Sequence, residues 1–311
     1  MHTVSIPELN IENFIPADLS ECDSQQYMDM SGLIFLHQTA QLSYEEFRIH
    51  AIYKLMNMKA AESKRNLNSN KKLTEEEENK YANAYRISEL IDTFFDENEE
   101  HQKIIKQNFI HNPIPSFKPL LTTYYGPQDL LSNMKFGEYT DALRLFNQIN
   151  ATGQMELLFP FVAILYRKKK SFIFFRKWLN KYNGDSRLSY NQASVDARAK
   201  VFENVPIGFI YGVYLLFGSF QKFLATAEIQ WGSSSLNFAI IFNAEGSDDP
   251  ETIPGLGMDS VMFAISESNV FGNKKQLNDT PLIEVLIRMY DIRKRDLELK
   301  KQQEDANRKS T

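Results

Sequence analysis

The sequence predicts a mainly α-helical globular fold: a multi-helix bundle with irregular, proline-rich connections and few if any strands. Three observations predict it. Apolar residues recur at three- and four-residue spacing through most of the chain, and serine, threonine and proline stand where helices would start. Aromatic content is high, with 23 Phe and 14 Tyr against only 13 Gly. A hydrophobic share of 43% sets wholesale disorder aside, and 311 residues suffice for one large domain or two moderate ones.

Residues 1–19 carry Pro7 and Pro16 among isolated apolar residues and read as an extended arm. Ser20 followed by Asp23 resembles a helix start, after which Tyr27, Met30, Leu33, Ile34 and His37 fall at helical spacing. Ser43 and Glu46 form a capping box for a second helix with Phe47, Ile52 and Leu55 inward, and Thr74 with Glu77 forms another. The helix it opens is expected to run to Asp96, with Glu75 to Glu78 in its first turn, where the helix dipole favours acid. Pro113, Pro115 and Pro119 break residues 101–125 into extended segments or short turns.

The central stretch, residues 124–167, mixes turn signals with the strongest apolar pattern. A helix is expected over about 137–150, a turn at Thr152-Gly153, and an apolar helix ending near Arg167. Pro160 inside that run marks either a kink or a first turn. Phe172 to Phe175 suit a short strand or another helix. Ser189 with Gln192 suggests a capping box for a helix through Phe202, and Pro206 the first turn of a long aromatic helix to about Ile229. A short helix from Met258 ends at Phe271-Gly272. Thr280 and Pro281 open the last helix, apolar at Leu282, Val285, Leu286, Met289 and Ile292 before a charged, solvated tail. The expected organisation is an N-terminal arm and helical pair (1–61), a polar linker (62–73), a central helical domain (74–242), an acidic Gly/Pro loop (243–257) and C-terminal helices with a charged tail (258–311).

Composition removes several function classes. A net charge of −5 opposes wholesale binding to nucleic acid or an anionic membrane, leaving room for a local patch. The single Cys22 excludes an internal disulfide and a cysteine-rich zinc site, which fits a reducing compartment. The N-terminus lacks the basic and apolar blocks of a signal peptide. Residues 207–225 have the length of a membrane span but contain Gln221, Lys222, three glycines and a serine, so a buried helix is expected. Gly208, Gly212 and Gly218 suit close helix packing.

Chemistry-bearing motifs are sparse. The five histidines stand in no HExxH arrangement, and Glu46 with His50 reads as an ion pair rather than a metal site. Serine lacks a G-x-S-x-G turn, and Gly212 to Gly218 precedes no Gly-Lys-Ser/Thr. Gly255-Leu256-Gly257 follows a proline loop rather than a strand. Glu245, Asp248, Asp249 and Glu251 lack EF-hand spacing and read as a solvated loop. No catalytic residue, cofactor or metal is expected, and the reading is non-enzymatic. The most specific charge feature is Arg167-Lys168-Lys169-Lys170 followed by Arg176-Lys177-Trp178, with Phe172, Phe174 and Phe175 between. Such a stretch suits phosphate and base contact; its bland counterpart is a basic rim over buried rings.

Six short motifs stand out: Ile15-Pro16-Ala17-Asp18, Leu42-Ser43-Tyr44-Glu45-Glu46-Phe47-Arg48, Gly126-Pro127, Phe136-Gly137-Glu138-Tyr139, Leu165-Tyr166-Arg167 and Phe263-Ala264-Ile265-Ser266-Glu267 with Thr280-Pro281-Leu282. Together they resemble proteins of Bacteroidetes prophages and tailed phages. The resemblance implies a product of the tail-assembly module, and within it a chaperone that coats the tape-measure protein until tail-tube subunits polymerise. This chain is much longer than typical tail chaperones. The implied partners are tape-measure or tail-tube proteins in the host cytoplasm; the alternative is a structural virion component of tail, baseplate or head. Apolar surface for a partner helix would come from Phe209, Tyr211, Tyr214 and Phe217, or from Leu286, Met289 and Ile292, unless these are core. A nucleic-acid-binding protein using residues 167–182 is the further alternative.

Overall fold

In the computed structural model, which describes residues 1–6, 11–57, 75–97, 101–119, 121–171, 184–231, 234–242 and 271–309, helix dominates and strands are confined to sheets of two or three short members. The fold is mainly α. The chain begins β1 (His2–Ile6), β2 (Ile11–Ile15), α1 (Ser24–Gln38), α2 (Tyr44–Leu55), α3 (Glu75–Ser88), β3 (Phe95–Glu97) and β4 (Lys103–Ile105). It continues with β5 (Ser116–Phe117), β6 (Tyr124–Tyr125), α4 (Phe136–Thr152), α5 (Leu158–Leu165), β7 (Arg167–Lys168), α6 (Val195–Phe202) and α7 (Ile207–Thr226). Last come β8 (Glu228–Trp231), β9 (Ser234–Asn237), α8 (Ala239–Phe242), α9 (Lys274–Asp279) and α10 (Leu282–Lys309).

Contacts divide the chain into two compact units, Met1–Ile114 with Asn204–Leu216, and Pro115–Glu203 with Phe217–Thr311. This division differs from the sequence-based one. The helices before and after residues 62–73 pack together (α2 on α3) in a single unit, so that stretch separates no domains. The 62–73 linker itself, the loop at 243–257 and the helix expected from Met258 lie outside the described residues.

In the first unit, the expected extended arm is an antiparallel hairpin, β1 against β2, with His2 opposite Ile15 and Ile6 opposite Ile11. Asp23, rather than Ser20, caps α1: its carboxylate accepts from the Gln25 and Gln26 amides, and Gln26 reaches back to the Asp23 amide. Ser43 and Glu46 form the capping box expected for α2. Both boxes satisfy amides that a helix leaves unpaired at its start. The helix expected to reach Asp96 tightens to a 3-10 turn at Glu89–Phe94, and Phe95 onward is strand, paired with β4. Tyr27, Met30, Phe47, Ile91 and Phe94 are buried. Gly32 and Gly208 bring α1 and the first half of α7 close, and the Tyr27 hydroxyl donates to the Gly212 carbonyl at 2.8 Å.

In the second unit, β5, β6 and β7 form a small antiparallel sheet. α4 starts one residue before its expected boundary and ends at Gly153, whose φ of 68° is the left-handed cap that closes many helices. Pro160 sits in the first turn of α5, where its missing N–H costs nothing; it is a start, not a kink. α5 ends at Leu165, so Arg167 belongs to a strand and not to the helix end. Asn191, not Ser189, caps the turn leading into α6, accepting from the Ala193 amide. α7 stops at Thr226, and Ile229 lies in the β8–β9 hairpin. Thr280 closes α9 rather than capping α10, and the Phe136 amide donates to its carbonyl while the Leu282 amide donates to that of Met134. These two bonds tie the α9–α10 joint to the start of α4.

Candidate functional site

Helix α4 carries one buried stripe at Glu138, Ala142, Leu145 and Ile149. A carboxylate on such a stripe needs a partner, because an unpaired buried charge is very costly. Two arginines meet it. Arg167, on β7, brings Nη1 to 2.7 Å from Glu138 Oε1 and donates from Nη2 to Oε2 at 3.0 Å. Arg187 donates from Nη1 to Oε1 at 2.9 Å and from Nη2 to Oε2 at 3.3 Å. Asp185 completes a quartet: its Oδ1 accepts from the Arg187 amide and Nε, and its Oδ2 from Arg167 Nη2. Two guanidinium ions and two carboxylates balance.

All four side chains are buried, none more than 7% exposed. The remaining guanidinium hydrogens go to backbone. Arg167 donates to the carbonyls of Leu188 and Ile164, and Arg187 to those of Leu165 and Asn133. Burial works to lower the Arg187 pKa, but the charges of Glu138 and then Asp185 outweigh it and hold the group protonated. Residues 168–170 pair with 186–188 through the Lys169–Arg187 bridge and amide bonds on either side. The quartet therefore pins the returning segment 184–188 to β7 and to α4.

Beside it opens a cleft of about 1070 Å³, with Arg167 and Asp185 in its wall. α4 contributes Thr140, Asp141 and Arg144, the segment after the quartet Ser189 to Gln192, and α9 Lys274, Lys275, Asn278 and Asp279. Tyr190 donates its hydroxyl to Asp141, and burial followed by that bond pushes its pKa up. Among the described residues, and apart from the balanced quartet, the wall holds five cations (Lys135, Arg144, Lys170, Lys274, Lys275) against two carboxylates (Asp141, Asp279). The cleft is basic although the chain is acidic.

The basic run singled out in the sequence divides here. Arg167 is a buried structural cation, not the surface anion contact expected, because Glu138 and Asp185 absorb its charge. Lys170 donates to the Asp185 carbonyl at 2.8 Å and lines the cleft. Lys168 and Lys169 are exposed, Lys169 lying 5.6 Å from the centre of the Tyr125 ring. Arg176, Lys177 and Trp178 lie outside the described residues, as do Phe172 to Phe175 and the acids Glu245 to Glu251.

The apolar surface expected for a partner helix is core. Phe209, Tyr211, Phe217, Leu286 and Met289 are buried, and Tyr214 and Ile292 are half-buried. Phe217 packs edge-on against Phe161 at 5.3 Å and touches Phe146, while Tyr211 packs on Phe35 and donates to Gln38. α7 is long and apolar enough to cross a membrane, yet 72% of its apolar window is buried within the protein, as in a core helix. Among the described residues no cluster of three metal-ligating side chains forms.

Sequence reasoning missed Glu138, Asp185 and Arg187. Glu138 alone left a signal, a charge on an apolar stripe. Comparison of the chain with protein-family models, with curated proteins and with solved structures found no match. What fold and site define is a class: a mainly α protein of two units, the second organised on a buried ionic quartet beside a basic cleft.

Proposed function

We propose that this chain is a non-enzymatic assembly protein of the tailed-phage kind its motifs resemble, acting in the host cytoplasm on other phage proteins as a tail-assembly chaperone. The observation that supports a binding role is the saturation of the quartet. A carboxylate offers about four lone-pair directions, and Glu138 already receives four guanidinium contacts, two from each arginine. Its hydrogen-bonding capacity is spent on rigidity, which suits a scaffold that presents surface. The burial of Phe209, Phe217 and Leu286 directs partner contact away from an apolar groove and onto polar surface.

The test is affinity capture of the tagged chain from phage-producing cells, with proteomics of purified particles. A long helical phage protein captured from lysate, with the chain absent from particles, supports the chaperone. Stoichiometric presence in particles makes it a structural virion component instead. Capture of no phage protein and absence from particles overturns the assembly reading.

A further inference from the structure

We propose, independently of that reading, that the cleft of the second unit is a binding site for a small ligand carrying several phosphate groups. Its five cations come from three separate places in the sequence: the α4 region (Lys135, Arg144), the end of the β7 segment (Lys170) and α9 (Lys274, Lys275). Their convergence on one concavity of about 1070 Å³ is a product of folding and not of a local charge run. Clefts of that order hold ligands the size of a nucleotide. Arg144 lies 3.8 Å from Asp141, yet cations outnumber carboxylates in the described wall, so an entering anion relieves mutual repulsion.

The donor chemistry matches phosphate. Lysine ammonium groups serve as rotatable point charges with three donors each, suited to tetrahedral oxyanions. Ser189 and Gln192 add neutral polar side chains along the wall, while the Thr140 hydroxyl donates to the Gly137 carbonyl. A polymeric nucleic acid is a poorer fit, since it needs an open basic track with aromatic stacking platforms. Among the described residues Tyr190 is the aromatic one in the lining; its hydroxyl is held by Asp141 and its ring lies 5.8 Å from the Arg167 guanidinium carbon.

Isothermal titration of the full chain with sodium tripolyphosphate, ATP and a single-stranded oligodeoxynucleotide tests this. Tripolyphosphate is expected to bind with a dissociation constant that rises as salt is added. The double variant Lys274→Ala/Lys275→Ala on α9 and the single variant Lys135→Ala before α4 should each weaken binding about tenfold, the loss of one or more charge-assisted contacts. The charge-matched control Lys168→Ala/Lys169→Ala, outside the cleft, should leave it unchanged. Tighter binding of ATP than of tripolyphosphate would assign the ligand to nucleotides; equal binding would assign it to oligophosphates generally. Absence of heat with both small anions overturns the proposal, as does an equal loss in the control. Binding of the oligonucleotide alone, abolished in the Lys168/Lys169 control, overturns it in favour of a nucleic-acid surface.

Discussion

Arg187 and Glu138, 49 residues apart in the chain, face each other through two parallel contacts of 2.9 and 3.3 Å with neither side chain exposed to solvent. Such a pair is costly to assemble and costlier to break. Removing one member leaves the other buried and uncompensated, a loss of about 3–5 kcal/mol. Glu138→Ala should therefore fall in that range by urea denaturation, and the Glu138→Ala/Arg187→Ala double variant should cost less than the two single losses together. Strict additivity would show that the two residues do not act as a unit.

A methyl group added at Gly208 would stand 2.1 Å from the Met28 carbonyl oxygen, a backbone atom that cannot swing aside. Gly153 has open space around it and resists substitution only through its φ of 68°. Thermal melts should rank them accordingly. Gly208→Ala is expected to cost about 3 kcal/mol or more, and Gly153→Ala about 1–2 kcal/mol. The reverse order would contradict the close approach of α1 and α7.

Glu46 gives a pH dependence whose sign is fixed. Bonds from the Ser43 amide and then its hydroxyl hold the Glu46 carboxyl below its usual pKa. A carboxyl depressed in the folded state contributes stability above its unfolded pKa of about 4.3, and that contribution is lost as pH falls through the lower folded value. Glu46→Gln should thus be less stable than the parent near neutral pH, and the two should converge once the pH has fallen below the lowered folded value. A gap that persists in acid would place the effect elsewhere.

Cys22 is 7% exposed, and burial, followed by the nearby Asp18 charge, pushes its thiol well above the ordinary range. Thiolate is the reactive form. Alkylation of the native chain by iodoacetamide should be at least about tenfold slower than in guanidinium chloride. Equal rates would mean the thiol is reached without unfolding.

Local features were legible and distant ones were not. The Ser43–Glu46 box and the inward positions Leu282, Val285, Leu286 and Met289 follow from spacing of a few residues, and the structure has them; for Pro160 spacing allows a kink or a first turn, and the structure has the first turn. Ser189 lost its cap to Asn191 because both residues can cap, and spacing cannot say which side chain will face the amides. Spacing alone shows the β1–β2 hairpin as a lone arm, since pairing is a property of two segments. Arg167 misled most. At the head of a basic run it resembles surface, and only residues 18 to 29 positions away turn it inward. The cleft was invisible for the same reason, its lysines being gathered from three segments.

The division of the chain has a consequence for its biosynthesis. The Tyr27 hydroxyl meets its acceptor 185 residues later, at Gly212, and the first unit is completed only by Asn204–Leu216. About ninety residues separate Ile114 from that return, so at typical elongation rates roughly 5–20 s pass before the missing helix segment emerges. During that interval the nascent α1 presents Tyr27 and Gly32 without Gly212 and Gly208, their neighbours on α7 in the folded unit. Proline isomerisation and intermediates aside, the ribosome's pace sets a floor on when the first unit can close.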